Sequence, residues 1–477
     1  MSNQEVRVRI APSNSGADVH AGNVRAALYN YLFAKQNKGV YLLRFEDSDS
    51  ARCKDEYADS ITETLRWIGL PPDEGYGTDN KPCGHYQQSK KLERYQEFVQ
   101  ELIERGAAYR CYCDSAMLDK EREEAIAKNP KAPWRYDGRC RDLKSQDKTK
   151  SHVVRFKTTT EGEVVLNDLV FGKMTFPNKE NQDFVIMRSN GFPLYNLSVV
   201  VDDLDMRISH ILRGCDHILN YTAQAAIYNA VGATIPVMAH FPMIRAADGT
   251  KLAKRNGASI IQYREAGYTP TAILNYLLRL GFGCGNQEIF SLDEMIERFS
   301  FSGCSKNDAK FDPKKFEATN TTHLKSVDLT SDDDYVSRVV PFLSARGIEN
   351  FNIDSVKSLI PLIRGRAKTF IEAADMLDPF LRDTPVIDQT AKDKLITTEI
   401  KTKLAEYTAF LSGIDTWEAP VLNEQSVNWM AAHTTSIKEI GQPIRVAITG
   451  RTNSPELFQT MAALGKTTTI NRLKNQQ

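Results

Sequence analysis

The segment DGTKLAKRNGA, Asp248 to Ala258, places Lys251, Lys254 and Arg255 together between Gly249 and Gly257. Cations this close repel one another unless something anionic is held among them. Lysine is a mobile point charge suited to phosphate, and flanking glycines give a loop the freedom to close on a ligand. Taken alone, such a run also fits an ordinary solvated loop. A second constellation stands far upstream: Ser13, Ser15, Gly16, His20 and Gly22. Small residues let backbone approach a ligand, and a histidine can donate to a phosphate oxygen. The pattern is neither G-x-G-x-x-G nor a P-loop, because no Gly-Lys-Ser/Thr closes it. By itself it reads equally well as a plain strand-to-helix connection.

The elements around these residues decide between the readings. EVRVRIA alternates, with Val6, Val8 and Ile10 on one face and Arg7 and Arg9 on the other, which predicts a strand. From Asn23 the period becomes helical: Val24, Ala27, Leu28, Tyr31 and Leu32 share a stripe, and Gly39 closes the helix. VYLLRFE follows as a second strand. Strand, polar loop, helix and strand form a βαβ unit. In open α/β sheets the ligand sits at the carboxyl ends of the strands. Arg9, the Ser/Gly loop and Glu46 then share one crevice. The helix N-terminus near His20 offers unpaired N–H groups to an anion.

Residues from about 86 to 193 mix helical and strand patterns, with KNPKAPWRYDGRCRD irregular, and read as an insertion in the α/β domain. GFPLYNLSVVVDDLD reads as a buried strand, and HILRGCDHILNYTAQAAIYNAVG as a helix. Beyond about Lys325 the pattern is helical, with Leu359, Leu362, Ile363, Phe370 and Ala374 on one stripe. The expected organisation is a Rossmann-like parallel-sheet domain over 1–325, followed by an all-α domain over 326–477.

With 61 basic and 61 acidic residues in 477, the net charge is zero. A polyanionic partner would therefore meet a local basic face on a neutral protein. No run of eighteen apolar residues predicts a membrane span, and MSNQEVRVRI lacks the apolar core of a signal peptide. Eight scattered cysteines fit a reducing cytoplasm better than a disulfide scaffold.

VHAG after the first strand and KLAKR far downstream resemble the two signatures of class I aminoacyl-tRNA synthetases, HIGH and KMSKS. RIAPSNSGADVHAGNVRAALYNYLFAKQNKGVYLLRFEDSD resembles the opening of a glutamyl-tRNA synthetase. GHYQQS, RYDGRC, YNLSVVVDD, ILRGCDHILN, DGTKLAKRNGA and REAGYTPTAILNYLLRLGF continue the match in family order. The ending resembles the helical anticodon-binding domain of the bacterial-type enzyme, so the resemblance covers nearly the whole chain.

The resemblance implies attachment of L-glutamate to tRNA-Glu in two steps, glutamyl-adenylate formation from ATP and then transfer to the terminal ribose. It implies a tRNA acceptor-stem insertion at about 86–193 and a stem-contact region at about 240–325. Arg9, Ala11, Ser13, Glu46, Tyr195 and Arg213 would form the glutamate pocket. Arginines suit a substrate with two carboxylates, and Glu46 suits its ammonium. His20 and Gly22 would hold ATP phosphates, and Lys251 and Lys254 would stabilise departing pyrophosphate, with Mg²⁺ accompanying ATP. Cys111, Cys113, Tyr136 and Cys140 resemble a zinc knuckle found in part of the family, with Tyr136 or Asp142 as the fourth ligand, or no metal at all. A monomer in the cytoplasm is the family expectation.

Several positions depart from the family pattern. Asn14 and Ser15 replace Pro-Thr, Asn23 ends the first signature, Val199 stands where an Asn is common, and Ala253 replaces a Ser in the second signature. Three other readings compete: glutamylation of tRNA-Gln, a truncated paralogue that modifies a tRNA base, and a catalytically silent tRNA-binding relative. Residues 326–477 argue against the second, and intact Arg9, Glu46, Lys251 and Lys254 argue against the third.

Overall fold

A computed structural model describes residues 5–49, 51–130, 134–143, 147, 149–253 and 257–476. The chain divides into two compact units, residues 1–261 with 273–313, and residues 262–272 with 314–477.

In the first unit, β1 (Arg7–Ile10) leads through a polar loop into α1 (Ala21–Gln36), and β2 (Val40–Leu43) returns parallel to β1. The stripe predicted for α1 is buried throughout, from Val24 to Leu32. Helix α1 ends at Asn37, and Lys38 takes the left-handed conformation (φ 53°) often left to glycine. Gly39 serves close packing instead: a Cβ there would lie 2.2 Å from the Val6 carbonyl oxygen. Both faces of β1 are covered, so Arg9 is as buried as Val8 and Ile10. That is the usual condition of a parallel sheet.

The chain continues through α2 (Asp55–Trp67) to β3 (Glu74–Gly75), which pairs parallel with β2. Then come α3 (Leu92–Glu104), β4 (Ala108–Cys111), α4 (Ser115–Lys128), β5 (Val153–Phe156), β6 (Glu163–Asp168), β7 (Gly172–Pro177) and β8 (Val185–Met187). Strands β4, β5 and β8 make a separate antiparallel sheet. β6 and β7 form a hairpin.

The segment read as a buried strand is a helix, α5 (Tyr195–Asp205). Its Leu197, Val199, Val200 and Val201 are all buried, so no polar face marks a helical period. A short apolar run of that kind does not distinguish strand from helix. The next segment, read as wholly helical, begins as a strand. β9 (His210–Gly214) carries Arg213, and only α6 (Asn220–Ala230) is helical.

β10 (Val237–Phe241) pairs parallel with β9 on one side and with β6 on the other. Ser209, just before β9, bonds β1 in both directions: its N–H donates to the Arg7 carbonyl (3.0 Å), and its Oγ accepts from the Arg7 N–H (2.8 Å). From β1 the ladder runs outward to β2 and β3, and from β9 to β10 and β6. The strand order thus reverses between β1 and β9, the place where open α/β sheets bind ligands. β11 (Ile244–Arg245) and β12 (Ala309–Lys310) pair beyond it. α7 (Ile260–Glu265) and α8 (Pro270–Arg279) lie where the chain passes between units, and α9 (Leu292–Arg298) opens with a capping box from Ser291 and Glu294.

The second unit is helical: α10 (Pro313–Lys325), α11 (Asp332–Ser344), α12 (Ile353–Arg364), α13 (Phe370–Leu381), α14 (Gln389–Leu395), α15 (Thr398–Ser412), α16 (Ala419–Ala432), α17 (Ile437–Thr449), α18 (Leu457–Leu464) and α19 (Lys466–Lys474). One core gathers Leu324, Tyr335, Val339, Ile360, Ile363 and Phe370; another gathers Leu404, Tyr407, Ile444 and Met461. The predicted stripe is split between α12 and α13. Ile363, Phe370 and Ala374 are buried, whereas Leu359 and Leu362 are only partly so, because α12 faces the core with Val356, Ile360 and Ile363.

Candidate active site

At the switch point lies a cavity of ≈ 330 Å³. Arg9 and Ala11 reach it from the end of β1, Glu46 from beyond β2, His20 and Gly22 from the start of α1, Tyr195 from α5, Arg213 from β9, and Lys251 from the second signature loop. Residues spread over more than 240 positions of sequence thus meet in one place. Ser13 is not among the lining residues; it is exposed, with its Oγ 3.6 Å from the Cys53 sulfur. Lys254 lies outside the described residues.

His20 is the N-cap of α1. Its Nδ1 accepts the Gly22 N–H at 3.0 Å, so the ring proton sits on Nε2, which donates to the Leu252 carbonyl at 3.0 Å. A Cβ at Gly22 would come within 3.2 Å of Nδ1, so glycine preserves this ring position. The two signature segments also touch through backbone: the Ala21 N–H donates to the Ala258 carbonyl at 2.7 Å, and His20 bridges Ser259. Lys251 is exposed and forms a backbone bridge with Arg245. The turn before it is fixed by Asp248 Oδ1, which accepts from the Thr250 N–H (2.9 Å) and hydroxyl (2.7 Å).

Under the cavity lies a buried ionic network. Arg9 donates to both oxygens of Asp203, at 3.1 and 3.3 Å. Arg44, fully buried, meets Asp203 at 2.7 Å, Asp202 at 3.5 Å and Glu46 at 3.5 Å. Lys91 completes the set with Asp202 (2.7 Å) and Asp205 (2.9 Å). Burial pushes the Glu46 carboxyl pKa up, against the pull of Arg44 and Arg9. Burial also raises Asp203, but Arg9 and Arg44 outweigh it and hold its carboxyl below the usual range. The spacing of the sequence gives no sign of Asp202, Asp203, Arg44 or Lys91 as partners. The only local hint is an acidic pair ending an apolar run.

Arg213 is buried and incompletely paired. Its Nε donates to His240 Nε2 (3.0 Å), its Nη2 donates to the His217 carbonyl (3.2 Å), and its Nη1 has no partner among the described residues. A buried guanidinium nitrogen without an acceptor is costly. Tyr195 is bonded through its hydroxyl to His217 Nδ1 at 3.1 Å, and burial pushes its pKa up to about 12. Val199, one turn along α5, is buried and does not line the cavity. Arg25 does line it; its guanidinium donates to the carbonyls of Leu280 (2.6 Å) and Pro242.

Away from the cavity, the Cys111, Cys113 and Cys140 sulfurs lie within 4.8 Å of one another. The Tyr136 hydroxyl is 3.4 Å from Cys111 and 3.6 Å from Cys113, and Cys113 is 3.6 Å from Cys140. Tetrahedral zinc with bonds of about 2.3 Å sets its sulfurs about 3.8 Å apart, close to this spacing. Burial raises the Cys111 thiol, but hydrogen bonds from Tyr136, the Cys113 amide and Arg155 outweigh it and lower its pKa. Asp142 is not part of this group: it is exposed and pairs with Lys157 at 3.2 Å.

Residues 5–318 match the family described as tRNA synthetases class I (E and Q), catalytic domain, and residues 334–477 match an anticodon binding domain. The glutamate–tRNA ligase 1 of Coxiella burnetii is 39% identical over 471 residues, covering 98% of this chain and 97% of that protein. The glutamate–tRNA ligase of Thermodesulfovibrio yellowstonii is 38% identical over 98% of both chains. Among solved structures, a glutamate tRNA ligase from Elizabethkingia meningosepticum in complex with its amino acid superposes with a TM-score of 0.84 at 28% identity, covering 99% of each chain. A cavity at the switch point, walled by both signature segments and joined to a helical unit in an order shared with these relatives over nearly full length, makes the chain a member of the glutamate–tRNA ligases, within the class I tRNA synthetases.

Proposed function

We propose that the chain attaches L-glutamate to tRNA-Glu in this cavity, first as glutamyl-adenylate from ATP and then on the terminal ribose. The observation that carries this reading is Arg213, a buried cation whose Nη1 lacks an acceptor among the described residues, in a cavity shared with Glu46 and His20. A dicarboxylate with an ammonium group supplies what those residues want: an acceptor for Arg213 and a cation for Glu46. Arg9, Ala11 and Tyr195 complete the pocket. Ser13 remains a candidate only if its loop moves on binding.

The glutamate carboxylate is itself the nucleophile, so catalysis here is positioning and charge stabilisation. His20 can exchange its bond to the Leu252 carbonyl for one to a phosphate oxygen. Lys251 and Lys254 stabilise the charge that develops on pyrophosphate. Mg²⁺, when bound with ATP, supplies further neutralisation of the phosphates. Residues of about 86–193 and 240–325 would contact the acceptor stem, and the helical unit the anticodon. A monomer in the cytoplasm is the family expectation; all eight cysteines are free thiols, and among the described residues no helix is long and apolar enough to cross a membrane.

Purified protein supplied with ATP, labelled glutamate and separate tRNA-Glu and tRNA-Gln transcripts should label tRNA-Glu. No label on either tRNA would refute the reading, and label on tRNA-Gln would extend it to both.

The three thiols with Tyr136 fit a structural zinc, which would brace the β4–α4 turn and the irregular segment around Cys140. Tyr136 is favoured as fourth ligand because its hydroxyl already lies among the sulfurs. Chelator-free preparations should carry about one zinc per chain; less than about half an equivalent would exclude a closed site.

A further inference from the structure

Behind Arg213 stand two side chains sealed from solvent, His240 and Asp168. Each of the three comes from a different neighbouring strand: Asp168 ends β6, His240 lies in β10, and Arg213 lies in β9 directly opposite His240 in the parallel register. His240 Nδ1 is 2.7 Å from Asp168 Oδ2, and Arg213 Nε donates to His240 Nε2 at 3.0 Å.

The direction of every proton in this chain is forced. A guanidinium only donates, so His240 Nε2 must offer its lone pair, and the ring is neutral with its proton on Nδ1. That proton goes to Asp168. The carboxylate is held in turn by backbone: Oδ1 accepts from the Val170 and Phe171 N–H groups, both at 2.9 Å, and Oδ2 from the His240 N–H at 3.0 Å. Burial disfavours a charged His240, in keeping with a neutral ring. With Nε tied to His240 and Nη2 to the His217 carbonyl, the guanidinium plane has one orientation, and Nη1 is the nitrogen left over.

We propose that Asp168 and His240 are positioning residues for glutamate: Asp168 selects the imidazole tautomer, and that tautomer fixes the orientation in which Arg213 meets a glutamate carboxylate. The proposal rests on the glutamate-binding reading of Arg213. Neither His240 nor Asp168 touches substrate, so neither is a catalytic residue.

Amide side chains separate the two halves of the relay. Asparagine at 240 sets its amide near the Nδ1 position, able to donate to Asp168 but short of Arg213. Glutamine sets its amide near the Nε2 position, able to accept from Arg213. In Asp168→Asn, Oδ1 keeps the two turn amides and takes the His240 backbone N–H, from which it already stands 3.3 Å, so the NH₂ group faces His240 Nδ1 and drives the ring to the opposite tautomer. The Nε2 proton then opposes the Arg213 Nε–H.

The experiment is steady-state aminoacylation by the full chain with tRNA-Glu, varying glutamate and ATP separately. Circular dichroism monitors folding, and ¹⁵N NMR of labelled histidine reads the tautomer. H240N and D168N should raise the glutamate KM about tenfold or more, the equivalent of one orienting hydrogen bond to a charged group. The ATP KM and kcat should stay within about threefold, as expected when only substrate binding is lost. H240Q should recover most of the loss. The resonance absent from H240N should show the Nδ1-protonated neutral form in the parent protein and the Nε2-protonated form in D168N.

An unchanged glutamate KM in a folded H240N, an equal rise in both KM values, or an Nε2-protonated parent ring would overturn the proposal. Arg213→Gln distinguishes the underlying reading. If it leaves the glutamate KM unchanged, the binding role of Arg213 fails and the proposal with it. If it raises the KM while H240N does not, only the positioning role fails.

Discussion

Burial opposes a negative charge on Glu46, Arg44 and Arg9 favour it, and in the proposed reading that charge meets the ammonium of glutamate. Replacing Glu46 with glutamine keeps the shape and removes the charge. Glu46→Gln should raise the glutamate KM on the order of tenfold or more, since hydrogen bonds to charged groups contribute about 1.5–3 kcal/mol, while the ATP KM stays nearly constant. Because burial raises the Glu46 pKa, the parent protein should begin to lose glutamate affinity on acidification above the pH where an ordinary glutamate protonates. A KM–pH profile for glutamate should show that limb in the parent and lack it in the variant; identical profiles would exclude Glu46 as the ammonium partner. Asp203 is the counterweight beneath it. Asp203→Asn leaves Arg9 and Arg44 buried with one carboxylate fewer, and removing one member of such a network costs about 3–5 kcal/mol. Urea titration should find a loss of that size, and a loss under about 1 kcal/mol would mean that Arg9 and Arg44 find compensation elsewhere. That Arg9, Glu46 and Arg213 share one cavity was legible in the sequence, because they stand in a recognisable motif order at the ends of strands. Asp203, Arg44, His240 and Asp168 were not, because their roles depend on strands and helices that meet only in the folded sheet.

At the scale of elements, legibility followed length and side-chain type. α1 and α5 are both buried on nearly every side, but α1 runs sixteen residues and carries several alanines, whereas α5 is shorter and its run of β-branched valines imitates a strand. β9 was absorbed into the helix that follows it because His210–Gly214 is only five residues long. The helical unit contains an acid-sensitive point of the same physical origin. His323 lies on the buried side of α10, and burial pushes its pKa down to about 4 from 6.5. The unfolded chain takes up the proton first as pH falls. Stability is therefore intact above about pH 6.5 and declines as the pH drops from there toward about 4, by up to roughly 3 kcal/mol. His323→Gln should flatten that part of the stability–pH curve measured by urea denaturation, and an unchanged slope between pH 6.5 and 4 would assign the acid sensitivity to other groups.

At the scale of the molecule, two compact units each carry their own apolar cores: Tyr95, Phe98, Val154 and Ile227 belong to one such cluster in the first unit, and Tyr335, Ile360 and Phe370 to one in the second. Every residue proposed to hold glutamate or ATP belongs to the first unit. Chains of this length usually unfold by domains, so one transition temperature is not expected to describe the whole. Calorimetry of the full chain should resolve at least two transitions. Ligand that binds only the native form stabilises it by about 2.7 kcal/mol at a hundred times its Kd, so saturating ATP and glutamate should raise the transition of the catalytic unit and leave the other in place. His323→Gln at pH 5 should do the reverse, raising the transition of the helical unit alone. Together the two perturbations assign each transition to its unit without cutting the chain. A single transition that moves as a whole under both would show that the units unfold cooperatively, and glutamate binding and acid sensitivity would then have to be treated as properties of one folding unit.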